Sequence, residues 1–140
     1  MSRVFWDTNL FVYLIEGRGD RAERVAALRR RMVERGDELL TSALTLGEVL
    51  VKPMEAGDDA LSERYERAIR AAATVVPFDV RAAPRFAAIR RDRSIRAPDA
   101  IQLACASAAV TDLFITNDDR LSREVVPGIQ FIQPLGSVFL

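Results

Sequence analysis

The sequence contains no histidine, one cysteine and one lysine, and these absences exclude several kinds of catalytic site. Without histidine there is neither imidazole acid–base catalysis nor a histidine ligand for a metal. A lone Cys105 allows no cysteine zinc cluster, and its setting in AIQLACASAA predicts a small buried thiol on a helix. Lysine-centred chemistry would have to use Lys52. Carboxylates, hydroxyls and arginines remain as the groups that could carry chemistry.

The chain is also without net charge and without long apolar runs. Twenty basic and twenty acidic residues balance, so any RNA contact must rest on a local basic patch. Aromatic residues are few, and Trp6 is expected in the core rather than as a base-stacking surface. We expect a cytoplasmic protein with no contact to a membrane, because no apolar run is long enough to span one and no signal-peptide pattern is present. A length of 140 residues with 49% hydrophobic content predicts one domain over residues 1–140.

Short apolar segments alternate with amphipathic ones, which predicts an α/β fold. Strands are predicted at 4–6, 38–42, 74–78, 112–116 and 129–132. Helices are predicted at 10–16, 21–36, 45–56, 58–73, 80–94 and 97–110, with a short polar helix at 117–125. Asp20 is expected to cap the second of these helices. The alternation is typical of a parallel sheet covered by helices on both faces.

Four acidic residues lie where the local pattern would not predict a carboxylate. Asp7 directly follows the first strand and Asp118 closely follows the fourth, so both are expected at the carboxyl edge of the sheet, where α/β proteins bind ligands. Asp99 lies in the first turn of a helix, and Glu48 lies in the apolar segment LTLGEVLV, where we expect it to be buried. Ordinary structural roles remain open: helix capping for the first two, a helix-dipole contact for Asp99, and a buried arginine partner for Glu48.

Taken together, the four carboxylates indicate a cation site. Clustered carboxylates raise one another's pKa values unless a cation neutralises them. Because only oxygen ligands are available, the site favours Mg²⁺ or Mn²⁺, ions that commonly serve phosphoryl chemistry. Short polar side chains beside the aspartates could orient water molecules on such an ion: Thr8, Asn9, Thr116 and Asn117.

Four segments, in chain order, resemble the PIN-domain nucleases: DTN after the first strand, the glutamate of TLGEVL, RAPDAIQLACA and FITNDDRL. The resemblance spans nearly the whole chain and is greatest to the VapC toxins of bacterial toxin–antitoxin pairs. It implies a PIN-like three-layer α/β/α sandwich with a central, mostly parallel sheet. It assigns a catalytic metal site to Asp7, Glu48, Asp99 and Asp118, with supporting polar roles for Thr116 and Asn9. The spacing to Leu121 favours Asp118 over its neighbour Asp119 as the last of these ligands.

The function implied by this resemblance is a Mg²⁺- or Mn²⁺-dependent endoribonuclease. A metal-activated water would hydrolyse the RNA phosphodiester and leave 5′-phosphate and 3′-hydroxyl ends. The resemblance also implies a homodimer and a VapB-like antitoxin as the inhibitor. Two alternatives remain: a housekeeping PIN nuclease in RNA processing, and a PIN scaffold that binds RNA or protein without catalysis.

Two further segments bear on partners. Arginines precede Asp99 at positions 90, 91, 93 and 96, and of these Arg93 and Arg96 could contact RNA phosphates. Alternatively, they are solvated and complement a helix end. The segment LFVYLIEG is apolar on more than one face, so it could pack in the core or could bind a second subunit or an antitoxin.

Overall fold

The centre of the fold is a sheet whose strands follow the short apolar segments of the sequence. The computed structural model describes residues 1–138 and 140. Within this part of the chain the sheet has five strands, β1 to β5, at Arg3–Trp6, Glu38–Ser42, Thr74–Val76, Thr111–Thr116 and Ile129–Pro134. They lie in the order β3-β2-β1-β4-β5, and each adjacent pair among them is parallel. The predicted α/β fold with a parallel sheet is confirmed.

Helices cover both faces of this sheet. The α-helices of the described residues are Thr8–Glu16 (α1), Gly19–Arg35 (α2), Ala43–Glu55 (α3), Asp59–Ala72 (α4), Ala82–Ile89 (α5) and Ala97–Ala108 (α6). Because side chains alternate along a strand, Val4 and Trp6 point to one face of β1 and Phe5 points to the other. The first two pack with residues of α1 to α4, whereas Phe5 packs with residues of α6 and with Phe86 of α5. The result is the three-layer α/β/α sandwich that the resemblance implies.

Trp6 and Cys105, whose residue types could also serve binding or catalysis, both belong to the core. Trp6 is fully buried, and its ring centroid lies 5.2 Å from that of Phe11. Cys105 is also fully buried, on α6, where its thiol donates to the carbonyl of Pro77 at 3.7 Å. Burial, with a smaller contribution from the negative charge of Asp79, raises the pKa of this thiol to about 11. Both predictions of a core role are confirmed, and the thiol stays protonated at neutral pH.

Helices end earlier than predicted where an aspartate forms a local turn. The helix predicted at 80–94 spans only Ala82–Ile89, and the backbone continues in turns, where the Asp92 carboxylate accepts from the backbone N–H and the hydroxyl of Ser94. The helix predicted at 117–125 is only a 3₁₀ turn at Leu121–Arg123, because Asp118 accepts from the backbone N–H of Arg120.

Two smaller boundaries also differ from prediction. The third strand ends at Val76 rather than residue 78, because Pro77 has no N–H to continue the sheet. Helix α2 begins at Gly19, so Asp20 is not its cap but an acidic residue in its first turn, where it complements the helix dipole. No helix among the described residues is both long enough and apolar enough to cross a membrane.

The strand order determines where a site can form. The chain places β2 and β3 on one side of β1, and then β4 and β5 on the other side. Trp6 at the end of β1 pairs with Ile115 near the end of β4. The loops that follow these two strands therefore leave the sheet side by side and diverge, which is the position where open α/β sheets bind ligands.

Candidate active site

Asp7 lies at the end of β1 and is held on both carboxylate oxygens. It is 7% exposed, and its backbone N–H donates to the carbonyl of Ile115 at 3.1 Å. Its Oδ1 accepts from the backbone N–H of Thr8 at 2.8 Å, and its Oδ2 accepts from the Thr116 hydroxyl at 2.9 Å. The capping interpretation of Asp7 is thus correct for α1, and the same contacts fix its carboxylate at the edge of the sheet.

The environment of Asp7 disfavours its negative charge. Burial raises the pKa of Asp7 to about 6, and the hydrogen bonds from Thr116 and Thr8 only partly offset this. The negative charges of Asp99 and Glu48 raise it further. Asp99 and Glu48 therefore lie near enough to Asp7 for their charges to act on its carboxylate.

Glu48 differs from the prediction, because it is exposed rather than buried. On α3 its neighbour Val49 points into the core, which turns Glu48 outward to meet Thr8, the first residue of α1. Its partner is not a buried arginine but the hydroxyl of Thr8, which donates to Oε1 at 2.7 Å. The apolar sequence around Glu48 reflects the core-facing side of α3 and not the surroundings of the carboxylate itself.

Asp99 and Asp118 are paired with arginines. Arg96 Nε lies 3.5 Å from Asp99 Oδ2, at the start of α6. Arg120 donates from Nε and Nη2 to the two oxygens of Asp118 at 3.3 and 3.1 Å. These hydrogen bonds hold the pKa of Asp118 below its ordinary value. Asp99 adds to the negative field around Arg120, so this guanidinium interacts with both carboxylates.

Thr116, at the end of β4, lies between two of the aspartates. Its fully buried hydroxyl donates to Asp7 and accepts from the backbone N–H of Asp118 at 3.0 Å. Asn9 is exposed in the first turn of α1, and Asn117 donates instead to the Tyr13 hydroxyl at 2.8 Å. The structure thus places Thr116 among the carboxylates and directs Asn117 away from them.

The four carboxylates share one edge of the sheet without surrounding a common point. Within residues 1–138 and 140, no three acidic side chains converge closely enough to form a ready-made metal cage. The guanidinium groups of Arg96 and Arg120 supply the positive charge beside Asp99 and Asp118. Both arginine side chains are more than 70% exposed, so they can rotate away without disturbing the core. The oxygen-only donor set fits a hard divalent ion, provided that the arginines give up their contacts.

Sequence reasoning did not identify two residues of this site. The first is Arg120. It lies two positions after Asp118, and this short spacing could have indicated an ion pair between the two side chains. Gln102 is 2% exposed on α6, and it donates to both Thr8 and Thr45 at 2.8 Å. Its signal was a lone amide in the otherwise apolar run AIQLACA, three residues after Asp99.

Comparisons with known proteins identify the family. The family model of the PIN domain matches residues 4–124, so the chain belongs to the PIN domain family. A search of curated protein sequences gave no significant match.

Solved structures share the fold across almost their whole length. VapBC2 from Rickettsia felis, bound to a DNA fragment from its promoter, superposes with a TM-score of 0.74 at 13% identity, over 94% of this chain and 97% of that one. VapBC-1 from nontypeable Haemophilus influenzae gives 0.68 at 16% identity, over 96% and 98%. A toxin–antitoxin complex from Klebsiella pneumoniae gives 0.65 at 22% identity, over 90% and 94%. At these identities the likeness establishes the fold.

Proposed function

We propose that this PIN domain is a metal-dependent endoribonuclease that acts in the cytoplasm as the toxin of a VapBC-type toxin–antitoxin pair. The observation that carries the proposal is the acidic edge of the sheet, where Asp7, Glu48, Asp99 and Asp118 are linked through Thr8, Thr116 and Arg120. Four carboxylates at the switch point of a parallel sheet exceed what helix capping requires. Membership of the PIN domain family supports nuclease chemistry at this edge.

Mg²⁺ or Mn²⁺ would be held by the four carboxylates. Asp7 and Glu48 carry negative charge that neutral groups hold in place, whereas Asp99 and Asp118 would exchange arginine contacts for the ion. A bound divalent ion supplies a polarised water and offsets negative charge on a phosphodiester. The released guanidinium groups of Arg96 and Arg120 would then lie beside the site with donors suited to phosphate.

RNA would approach over the exposed turn before α6. Arg93 and Arg96 are exposed there, close in sequence to Asp99, and supply the local basic patch that a chain without net charge needs. Arg90 has a structural role instead, because its guanidinium donates to the carbonyl of Ile95. The proposed phosphate contacts therefore belong to Arg93 and Arg96.

A VapB-like antitoxin is the proposed partner. The solved VapBC structures support this assignment through their shared fold and the antitoxin that they contain. An apolar groove of about 370 Å³ between α1, α3 and α4 adjoins Glu48 and could receive an antitoxin segment. Val12 and Ile15 of α1 line this groove. The antitoxin segment would therefore contact apolar surface that α1 does not bury in the core. A homodimer, implied by the resemblance, is proposed as the form of the free toxin.

The test compares wild-type protein, Asp7→Asn and the control Asp119→Asn on structured and single-stranded RNAs. Each is incubated with Mn²⁺, with Mg²⁺ and with excess chelator. We expect metal-dependent cleavage by wild-type protein and by Asp119→Asn, whose carboxylate is exposed outside the site. Asp7 is a proposed ligand of the ion. Because removing a group that only orients a ligand already costs up to about a hundredfold, Asp7→Asn should lose at least about a hundredfold in rate. Cleavage that survives the chelator, or that Asp7→Asn retains, would overturn the proposal.

A further inference from the structure

Gln102 is a buried polar side chain that hydrogen-bonds to hydroxyl groups of the site rather than to any of the four carboxylates. It lies three residues after Asp99, on the same side of α6, and is 2% exposed. An amide at such a position must satisfy one acceptor and two donor hydrogens inside the protein, since each unmade hydrogen bond costs about 1–3 kcal/mol. The identity of its partners therefore shows what the residue organises.

The hydrogen bonds of Gln102 fix the direction of its amide. Its Oε1 accepts from the Ser42 hydroxyl at 2.5 Å, and its Nε2 donates one hydrogen each to the Thr8 and Thr45 hydroxyls at 2.8 Å. Ser42 also accepts from the backbone N–H of Thr45 at 3.2 Å, which caps α3. With this orientation the amide is satisfied and the start of α3 is tied to α6.

The hydroxyl protons then have only one consistent arrangement. Thr8 Oγ1 donates to Glu48 Oε1 at 2.7 Å, so its remaining capacity is to accept. It accepts from Gln102, and Thr45 therefore donates to it across the 3.0 Å contact between the two hydroxyls. Turning the amide over would place Gln102 Oε1, an acceptor, against both threonine hydroxyls, so Thr8 could satisfy it only by withdrawing its proton from Glu48. The network thus passes from Gln102 through Thr8 and ends on Glu48.

Thr8 connects this network to a second carboxylate. Its hydroxyl holds Glu48, and its backbone N–H donates to Asp7 Oδ1 at 2.8 Å. A displacement of Thr8 would therefore move the two carboxylates that have no arginine partner. The inner end of the network is rigid, because Ser42, Thr45 and Gln102 are all buried.

We infer that Gln102 is a positioning residue for the proposed metal site: through Thr8 it fixes Glu48 against Asp7, so that both carboxylates present oxygens to a divalent cation. The inference rests on the proposed function, since it concerns the same site. Groups that orient metal ligands typically change metal affinity by about 10- to 100-fold when they are removed. Gln102 itself lies behind the ligands and does not contact the cation.

The experiment measures Mn²⁺ affinity by calorimetry in the absence of RNA, so that cleavage activity does not enter the readout. Gln102→Met keeps the size of the side chain and removes its hydrogen bonds, and we expect it to weaken Mn²⁺ binding about tenfold or more. Thr8→Val should do the same, whereas Thr8→Ser, which keeps the hydroxyl, should bind nearly as tightly as wild-type protein. Urea unfolding without metal shows whether each variant is folded.

Thr111→Val is the matched control for general loss of stability. It removes another buried hydroxyl, which donates to the Ala106 carbonyl at the opposite end of α6. We expect this variant to lose stability but to keep wild-type Mn²⁺ affinity.

A folded Gln102→Met protein with wild-type affinity would overturn the inference while the proposed function stands. If Gln102→Met does not fold, equal affinities in Thr8→Val and Thr8→Ser would overturn it. Wild-type protein that binds no Mn²⁺ would overturn both the inference and the proposed function.

Discussion

The acidic edge has two halves that use the same kind of side chain in opposite ways. Asp7 and Glu48 are held by neutral donors, namely two hydroxyls and a backbone amide. Asp99 and Asp118 are paired with the guanidinium groups of Arg96 and Arg120. The two aspartates also differ in pKa: burial raises the pKa of Asp7 to about 6 against the hydrogen bonds from Thr116 and Thr8, whereas the hydrogen bonds from Arg120 lower the pKa of Asp118. Negative charge without a cationic partner is concentrated in the first half.

This difference matters for the proposed cation site. If all four carboxylates lacked partners, their repulsion would destabilise the fold. If all four had arginines, nothing would be left to attract an ion. In the proposed site, this division would leave Asp7 and Glu48 to attract the cation, while the exposed guanidinium groups of Arg96 and Arg120 neutralise Asp99 and Asp118. Changes at Asp7, Arg120, Arg93 and Arg96 test that division, in decreasing order of the effect that we expect.

The largest effect is expected for Asp7 in the metal-free protein as pH changes. Its folded-state pKa lies above the ordinary value of 3.8, so the folded state binds the proton more tightly than the unfolded state does. The resulting stability is fully present below about pH 4 and is lost as pH rises through about 6. Wild-type protein should therefore lose up to about 3 kcal/mol between pH 4 and pH 8 relative to Asp7→Asn. Urea unfolding with chelator at each pH measures this difference.

A metal titration completes that experiment. Saturating Mn²⁺ at pH 8 should stabilise wild-type protein, because a ligand that binds only the folded state raises the unfolding free energy. It should leave Asp7→Asn nearly unchanged. If the two proteins show parallel pH profiles with chelator, the carboxylate of Asp7 does not carry unneutralised charge and the contrast between the two halves is wrong.

A smaller effect, of opposite sign, is expected in the second half. Arg120→Gln removes the guanidinium that competes with a cation for Asp118, so Mn²⁺ affinity should rise. The increase should not exceed about fivefold, because an ion pair this exposed is worth at most about 1 kcal/mol. Arg123→Gln, an exposed arginine in the adjoining 3₁₀ turn, is the matched control and should bind Mn²⁺ like wild-type protein. Weaker binding by Arg120→Gln would mean that Arg120 orients Asp118 for the ion instead of competing with it.

The smallest effect concerns the arginines proposed to face RNA. Arg93→Gln and Arg96→Gln should each reduce the slope of log affinity against log salt by about 0.7 for single-stranded RNA. Filter binding of Asp7→Asn, which should not cleave the RNA, measures the slope in this background. Arg64→Gln on α4 provides an exposed arginine away from the acidic edge, and its slope should match that of the parent. Unchanged slopes in both test variants would favour the alternative that these arginines only complement a helix end.

Several features of the fold and the site were predictable because they depend on neighbouring residues in sequence. The apolar segments before Asp7 and Asp118 predicted strands, and parallel strands bring their carboxyl ends to one edge of the sheet. Glu48 shows the limit of such reasoning, because its apolar neighbours predicted burial whereas the helix turns this one side chain outward. Helix periodicity identifies the core-facing side but not whether another element covers the opposite side.

Residue types and their order along the chain set the chemistry that is available: oxygen donors without histidine, a parallel α/β fold, and aspartates at the ends of two strands. The arrangement of these groups depends on tertiary contacts. Only folding brings Gln102 of α6 against Thr8 and Thr45, which lie 94 and 57 residues away. Only folding buries Asp7 and brings its carboxylate against the Thr116 hydroxyl, 109 residues away. The physical reason is that residue type sets what a group can donate or accept, whereas its pKa and its partner depend on burial and distance.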